Sequence, residues 1–86
     1  MSSIRSEFTA VAVKALEIDP NYVNAWDGIG WSLNELGDYS QAIIYLDKAL
    51  EIDPNHIDAL VFKSQALSNL EIKLERKIIP TRLIVQ

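Results

Sequence analysis

The sequence predicts an all-α protein of antiparallel helical hairpins stacked side by side, and three observations carry that prediction. The segment Lys14-Ala15-Leu16-Glu17-Ile18-Asp19-Pro20-Asn21 returns unchanged 34 residues later as Lys48-Ala49-Leu50-Glu51-Ile52-Asp53-Pro54-Asn55, and Ala25 and Ala59 continue the match. A period of this length marks stacked supersecondary units, none of which can bury its apolar face alone. Apolar residues elsewhere recur with a helical period near 3.6. Stop signals interrupt that period at Asp19 to Asn21, at Gly37-Asp38 and at Asp53 to Asn55, so four helices are expected.

The first helix ends at Ile18. The second is expected over about Val23 to Leu36, with Trp26, Ile29, Gly30, Leu33 and Leu36 on one face. Gly37 can take the left-handed conformation that closes a helix, and Asp38 followed by Gln41 has the pattern of an N-cap with a capping box. The third helix, about Tyr39 to Ile52, buries Ala42, Leu46, Ala49 and Leu50. It halts before Pro54, which disfavours helical geometry at Asp53 and opens the next helix. After Leu70 no turn signal appears, so the fourth helix is expected to run from about Ile57 to Ile78 and stop at Pro80. Along it Leu60, Leu67, Leu70, Leu74 and Ile78 form one apolar strip, and Val61, Ile72 and Ile79 a second. Lys63 interrupts the first strip but can bury its stem while its ammonium reaches water. Leu83-Ile84-Val85 is β-prone, and residues 80–86 read as an apolar tail.

Eighty-six residues limit the chain to one small domain, here residues 1–79 before the tail. An apolar fraction of 49% with 23% charged residues suits a folded protein and is too apolar for a disordered one. The absence of cysteine excludes a disulfide framework, a thiolate zinc site and a cysteine nucleophile, and His56 alone cannot build a histidine metal cluster. No apolar stretch approaches the roughly 20 residues that span a bilayer. Lys14 and Glu17 break the N-terminal apolar run, so no secretory signal is read there and a cytoplasmic protein is expected. Residues 1–72 carry four basic and eleven acidic side chains, whereas Lys73, Arg76, Lys77 and Arg82 face only Glu75 in the remainder. The acidic body offers no basic face for a phosphate backbone, so neither nucleic acid nor membrane is an expected partner.

No catalytic constellation emerges. His56 follows Pro54-Asn55 at a turn and reads as a solvated residue at a helix start. Glu17, Asp19, Glu51 and Asp53 recur with the repeat as a solvated surface, and Gly28, Gly30 and Gly37 make no phosphate-cradling loop. No enzyme activity and no cofactor are expected.

Ala25-Trp26, Ile29-Gly30, Leu33, Leu36-Gly37-Asp38-Tyr39, Gln41-Ala42, Leu46, Lys48-Ala49-Leu50 and Pro54 together resemble the tetratricopeptide repeat family. The resemblance covers roughly residues 4 to 70. It divides the domain into a half repeat over about 4–20, a full repeat over about 21–54 and a half repeat over about 55–79. It implies a short right-handed α-solenoid whose first helices line a concave groove and bind a protein or peptide segment. Phe8 stands where the family wants a small residue such as Ala42, and is expected to fill space that the absent first helix of its half repeat leaves.

On the helical wheel Asn24, Asp27, Trp31, Asn34 and Glu35 lie clear of the core stripe of the second helix, as do Asp58, Val61, Gln65 and Ser68 on the fourth. The resemblance turns these positions toward the groove. Trp31 is a large aromatic within a polar, acidic ring, the usual make-up of a binding hot spot, although packing on another subunit or on the chain's own tail is the alternative. A subset of the family grips the terminal carboxylates of chaperone tails with Lys and Asn on this face. Asp27 and Trp31 occupy those two places here and Phe62 stands where another Asn would be, so a basic or apolar segment is expected instead.

Repeat arrays generally need about three units and polar caps. One whole repeat with two halves is short of core, and burial of Leu70, Leu74 and Ile78 in a homodimer seam is the expected remedy. The competing outcomes are a chain that bends near Glu71 to cap itself, and a structural piece of a longer repeat array with no binding site of its own.

Overall fold

The computed structural model describes the backbone of residues 2–85 and the side chains of residues 7–76. It contains α1 (Ser2–Ile18), α2 (Val23–Glu35), α3 (Tyr39–Ile52) and α4 (Ile57–Val85), with no strand among the described residues. Each helix packs on the next as an antiparallel hairpin, and α2 also touches α4, so α2 has neighbours on three sides. The result is a hairpin stack, a short α-solenoid.

The repeated octapeptide builds the same corner twice. Asp19 Oδ1 accepts from the Asn21 N–H at 3.1 Å, and Asp53 Oδ1 accepts from the Asn55 N–H at 3.1 Å. Such Asx turns satisfy backbone donors that the proline would otherwise strand. The Asp19 and Asp53 amides donate back to Ala15 and Ala49, closing each preceding helix. Between α2 and α3 the break is different. Gly37 sits at φ +85, its N–H donates to the Asn34 carbonyl and that of Asp38 to the Leu33 carbonyl, which is the paired C-terminal closure that favours glycine. Asp38 then caps α3 by accepting from the Gln41 N–H at 3.4 Å.

The core is made largely of small residues, which lets helix backbones come close. Ala42, Leu46, Ala49, Ala59 and Ala66 form one fully buried cluster, flanked by Trp26, Leu33, Tyr39 and Phe62 among others. Ala12, Ala25 and Ile29 form a second between α1 and α2. A Cβ on Gly30 would lie 2.5 Å from Leu46 Cγ and 3.3 Å from the Ala42 carbonyl oxygen, so that crossing tolerates no side chain. Trp26 holds the first corner: its Nε1–H donates to the Pro20 carbonyl at 2.7 Å, and its ring lies against Tyr45 and under Lys48.

Several expectations need correction. α4 continues through Pro80 to Val85, so residues 80–85 are helical and not a β-prone tail. A proline removes one bond from the helical ladder, and a helix whose following residues resume the pattern can carry that loss. α4 also continues through Glu71 unbroken. α2 ends at Glu35, which leaves Leu36 as an exposed C-cap outside the core stripe. The buried stripe of α4 runs through Ala59, Phe62 and Ala66, while Leu60, Leu67 and Leu74 of the first strip and Val61 and Ile72 of the second are exposed. Lys63 does bury part of its stem, with Nζ 2.6 Å from Asp47 Oδ1 on α3. The side chains of Ile78 and Ile79 lie outside the described residues.

Candidate functional site

The α1, α2 and α4 helices enclose a notch of about 440 Å³ lined by Phe8, Asn24, Asp27, Gly28, Trp31, Asp58 and Phe62. Its wall is set by one glycine. Phe8 points the tip of its ring at Gly28, where a Cβ would collide with Phe8 Cζ, and meets Trp31 edge to face with centroids 6.3 Å apart at 88°. This is a favoured aromatic geometry, and it holds both rings at the rim, Phe8 41% and Trp31 37% exposed. Phe8 thus packs on α2. A smaller apolar cleft of about 180 Å³ shares Phe8 and Asn24 with the notch and runs along Val11, Ala12 and Ala15.

His56 organises the polar end. The Ala59 N–H donates to His56 Nδ1 at 3.2 Å, so His56 caps α4 with its ring. With Nδ1 accepting, the Nε2–H donates to Asn24 Oδ1 at 3.0 Å, tying the start of α4 to the start of α2. His56 is therefore half-buried and spent in two bonds, contrary to the expectation of a solvated residue.

Asp27 sits below this pair, only 8% exposed, and its Oδ1 is sealed from solvent with no hydrogen-bond partner. Burial pushes its carboxyl above the usual aspartate range; the nearby His56 pulls it down, and Asp58 pushes it further up.

Of the residues expected to face the groove, Asn24, Asp27, Trp31 and Asp58 meet in the notch. Asn34 is buried at 8% exposure beyond its lining, with Oδ1 unpartnered, and Ser32 is buried likewise, because α2 is covered on three sides where the wheel placed an open surface. Glu35 is exposed at the end of α2, and Val61, Gln65 and Ser68 are exposed on α4 outside the lining. Of the seam residues Leu70 is half-buried and Leu74 exposed. Gly28 and Phe62 were missed as parts of the site. Their signal was the pair of counterpart positions Phe8 and Ala42, which differ sharply in size.

Among the described residues no helix is long and apolar enough to cross a membrane, and no group of three His, Cys, Asp or Glu could hold a metal ion. No curated protein matches the chain. Residues 23–56, from the first residue of α2 to the cap of α4, match the model of the tetratricopeptide repeat family, and the chain carries a tetratricopeptide repeat across α2 and α3.

Proposed function

We propose that this protein is a non-enzymatic scaffold that holds a basic or apolar segment of another protein in the notch between α1, α2 and α4. Tetratricopeptide repeats generally mediate protein–protein interactions. The observation that carries the finer reading is the exposed Phe8–Trp31 pair above two acidic side chains, an aromatic anchor with a polar rim. The apolar cleft beside it extends the surface for a chain longer than one residue. Peptides selected from a random library on the immobilised protein test the idea. Their binding should shift the Trp31 indole and Gly28 amide resonances in a nitrogen-15 correlation spectrum; shifts confined to the outer face of α4 would contradict it.

A second reading, self-association, is favoured by the exposed Leu60, Leu67 and Leu74 on α4. A homodimer that covers Leu74 with Leu70 and Ile78 would gain roughly 1.5 to 3 kcal/mol per buried side chain before association costs. Sedimentation should then give twice the 9.7 kDa chain mass, reverting to one copy in Leu74→Asp. A monomer in both would leave the array-fragment alternative, in which further repeats cover α4.

A further inference from the structure

The notch brings a buried, unpartnered carboxylate oxygen together with two exposed aromatic rings. Six acids elsewhere have partners: Glu17 meets Lys14, Glu51 meets Lys48, Asp47 meets Lys63, and Asp19, Asp38 and Asp53 accept from backbone amides. Two aromatic rings elsewhere carry a lysine, Lys48 over Trp26 and Lys73 over Tyr39. In the notch Asp27 is more than nine-tenths buried with an unpartnered oxygen, Asp58 stands on the facing helix, and Phe8 and Trp31 meet each other at right angles. No basic side chain occurs among the described residues that line it.

A buried carboxylate without a compensating donor is costly, so the site lacks a cation with hydrogen-bond donors. Flat aromatic walls add a second requirement, because they favour a planar, weakly hydrated cation over a compact ammonium. A guanidinium meets both demands, with a fork of donors for carboxylate oxygens and a flat face for an aromatic ring. Resting on the groove reading above, we propose that the notch receives one arginine side chain of the bound segment, its guanidinium held between the Phe8 and Trp31 rings and the carboxylates of Asp27 and Asp58.

The probe is N-acetyl-arginine N-methylamide, with the citrulline analogue as its uncharged isostere. The arginine compound should shift the Trp31 indole and Gly28 amide saturably, and citrulline should bind at least about tenfold more weakly, equivalent to about 1.4 kcal/mol. Asp27→Asn should erase the difference between the two compounds. Asp58→Asn, at an exposed position, should shrink it. Equal shifts from both compounds, no saturable shift at Trp31, or a preference unchanged in both variants would overturn the assignment. If the arginine probe fails while library peptides still map to Trp31, only the arginine assignment falls; if those peptides also avoid Trp31, the groove reading falls with it.

Discussion

The α1–α2 and α3–α4 junctions begin with the same eight residues and end as different surfaces. Both corners make the same Asx turn and both carry a lysine–glutamate pair one turn before it. Past the corner the counterparts diverge: Trp26 and Leu60, Asp27 and Val61, Gly28 and Phe62, Trp31 and Gln65. The sizes at the helix crossing are exchanged. In the first junction α1 supplies the ring of Phe8 and α2 the bare Gly28; in the second α4 supplies Phe62, packed on the cluster that contains Ala42 of α3. One ring fills each crossing, but from opposite sides. The difference teaches that repeat identity sets the geometry of the turn, while the donor of the bulky side chain decides which surface remains. Because α1 supplies the first ring, Phe8 reaches Trp31 and closes one wall of the notch.

The exchange can be broken deliberately. Gly28→Phe puts two rings into one crossing and should destabilise by about 1 to 3 kcal/mol, the range for overpacking. Phe8→Ala in the same chain should recover most of that loss by copying the arrangement of the second junction. Thermal melts of the two singles and the double measure the coupling, and purely additive losses would mean that Phe8 and Gly28 do not share one space.

The two corners also differ in their caps. His56 caps α4, whereas its counterpart Tyr22 makes no side-chain cap bond to α2. His56→Ala should therefore cost about 1 kcal/mol, with Tyr22→Ala smaller in its effect on helix capping, as read by chemical denaturation.

Asp27 sharpens the comparison further, since its counterpart Val61 carries no charge. A carboxyl whose folded pKa lies above its unfolded value binds its proton more tightly when folded. Its destabilising effect is absent below the unfolded value, grows as pH rises toward the folded value and is complete above it. Asp27→Asn should raise stability at neutral pH by on the order of 1 kcal/mol and leave it unchanged in strong acid, where Asp27 is protonated in both states. A variant less stable than the parent at neutral pH would show that Asp27 is already compensated within the fold.

Much of the fold was legible in the residues themselves. The recurring octapeptide announced both corners, Gly37-Asp38 announced the closure of α2 and the cap of α3, and the spacing of Ala42, Leu46 and Ala49 announced the core. The site was legible only by angle. A helical wheel places Asp27 and Asn34 on one side of α2 but does not count the helices that cover that side, so it missed their burial. Phe8 against Gly28 and His56 against Asn24 join residues 20 and 32 positions apart, and no local pattern links them. Pro80 misled because its effect depends on the helix around it, which here runs on to Val85.

The measurement that bears most directly on the account is the affinity of one library-selected peptide for the parent, for Trp31→Ala and for Gln65→Ala, the last being the same substitution at the counterpart position. Truncating the aromatic anchor should weaken binding by about 2 kcal/mol, whereas truncating its counterpart, exposed outside the notch, should change it little. Equal losses at the two positions, or none at Trp31, would contradict a binding site anchored on Trp31 in the notch.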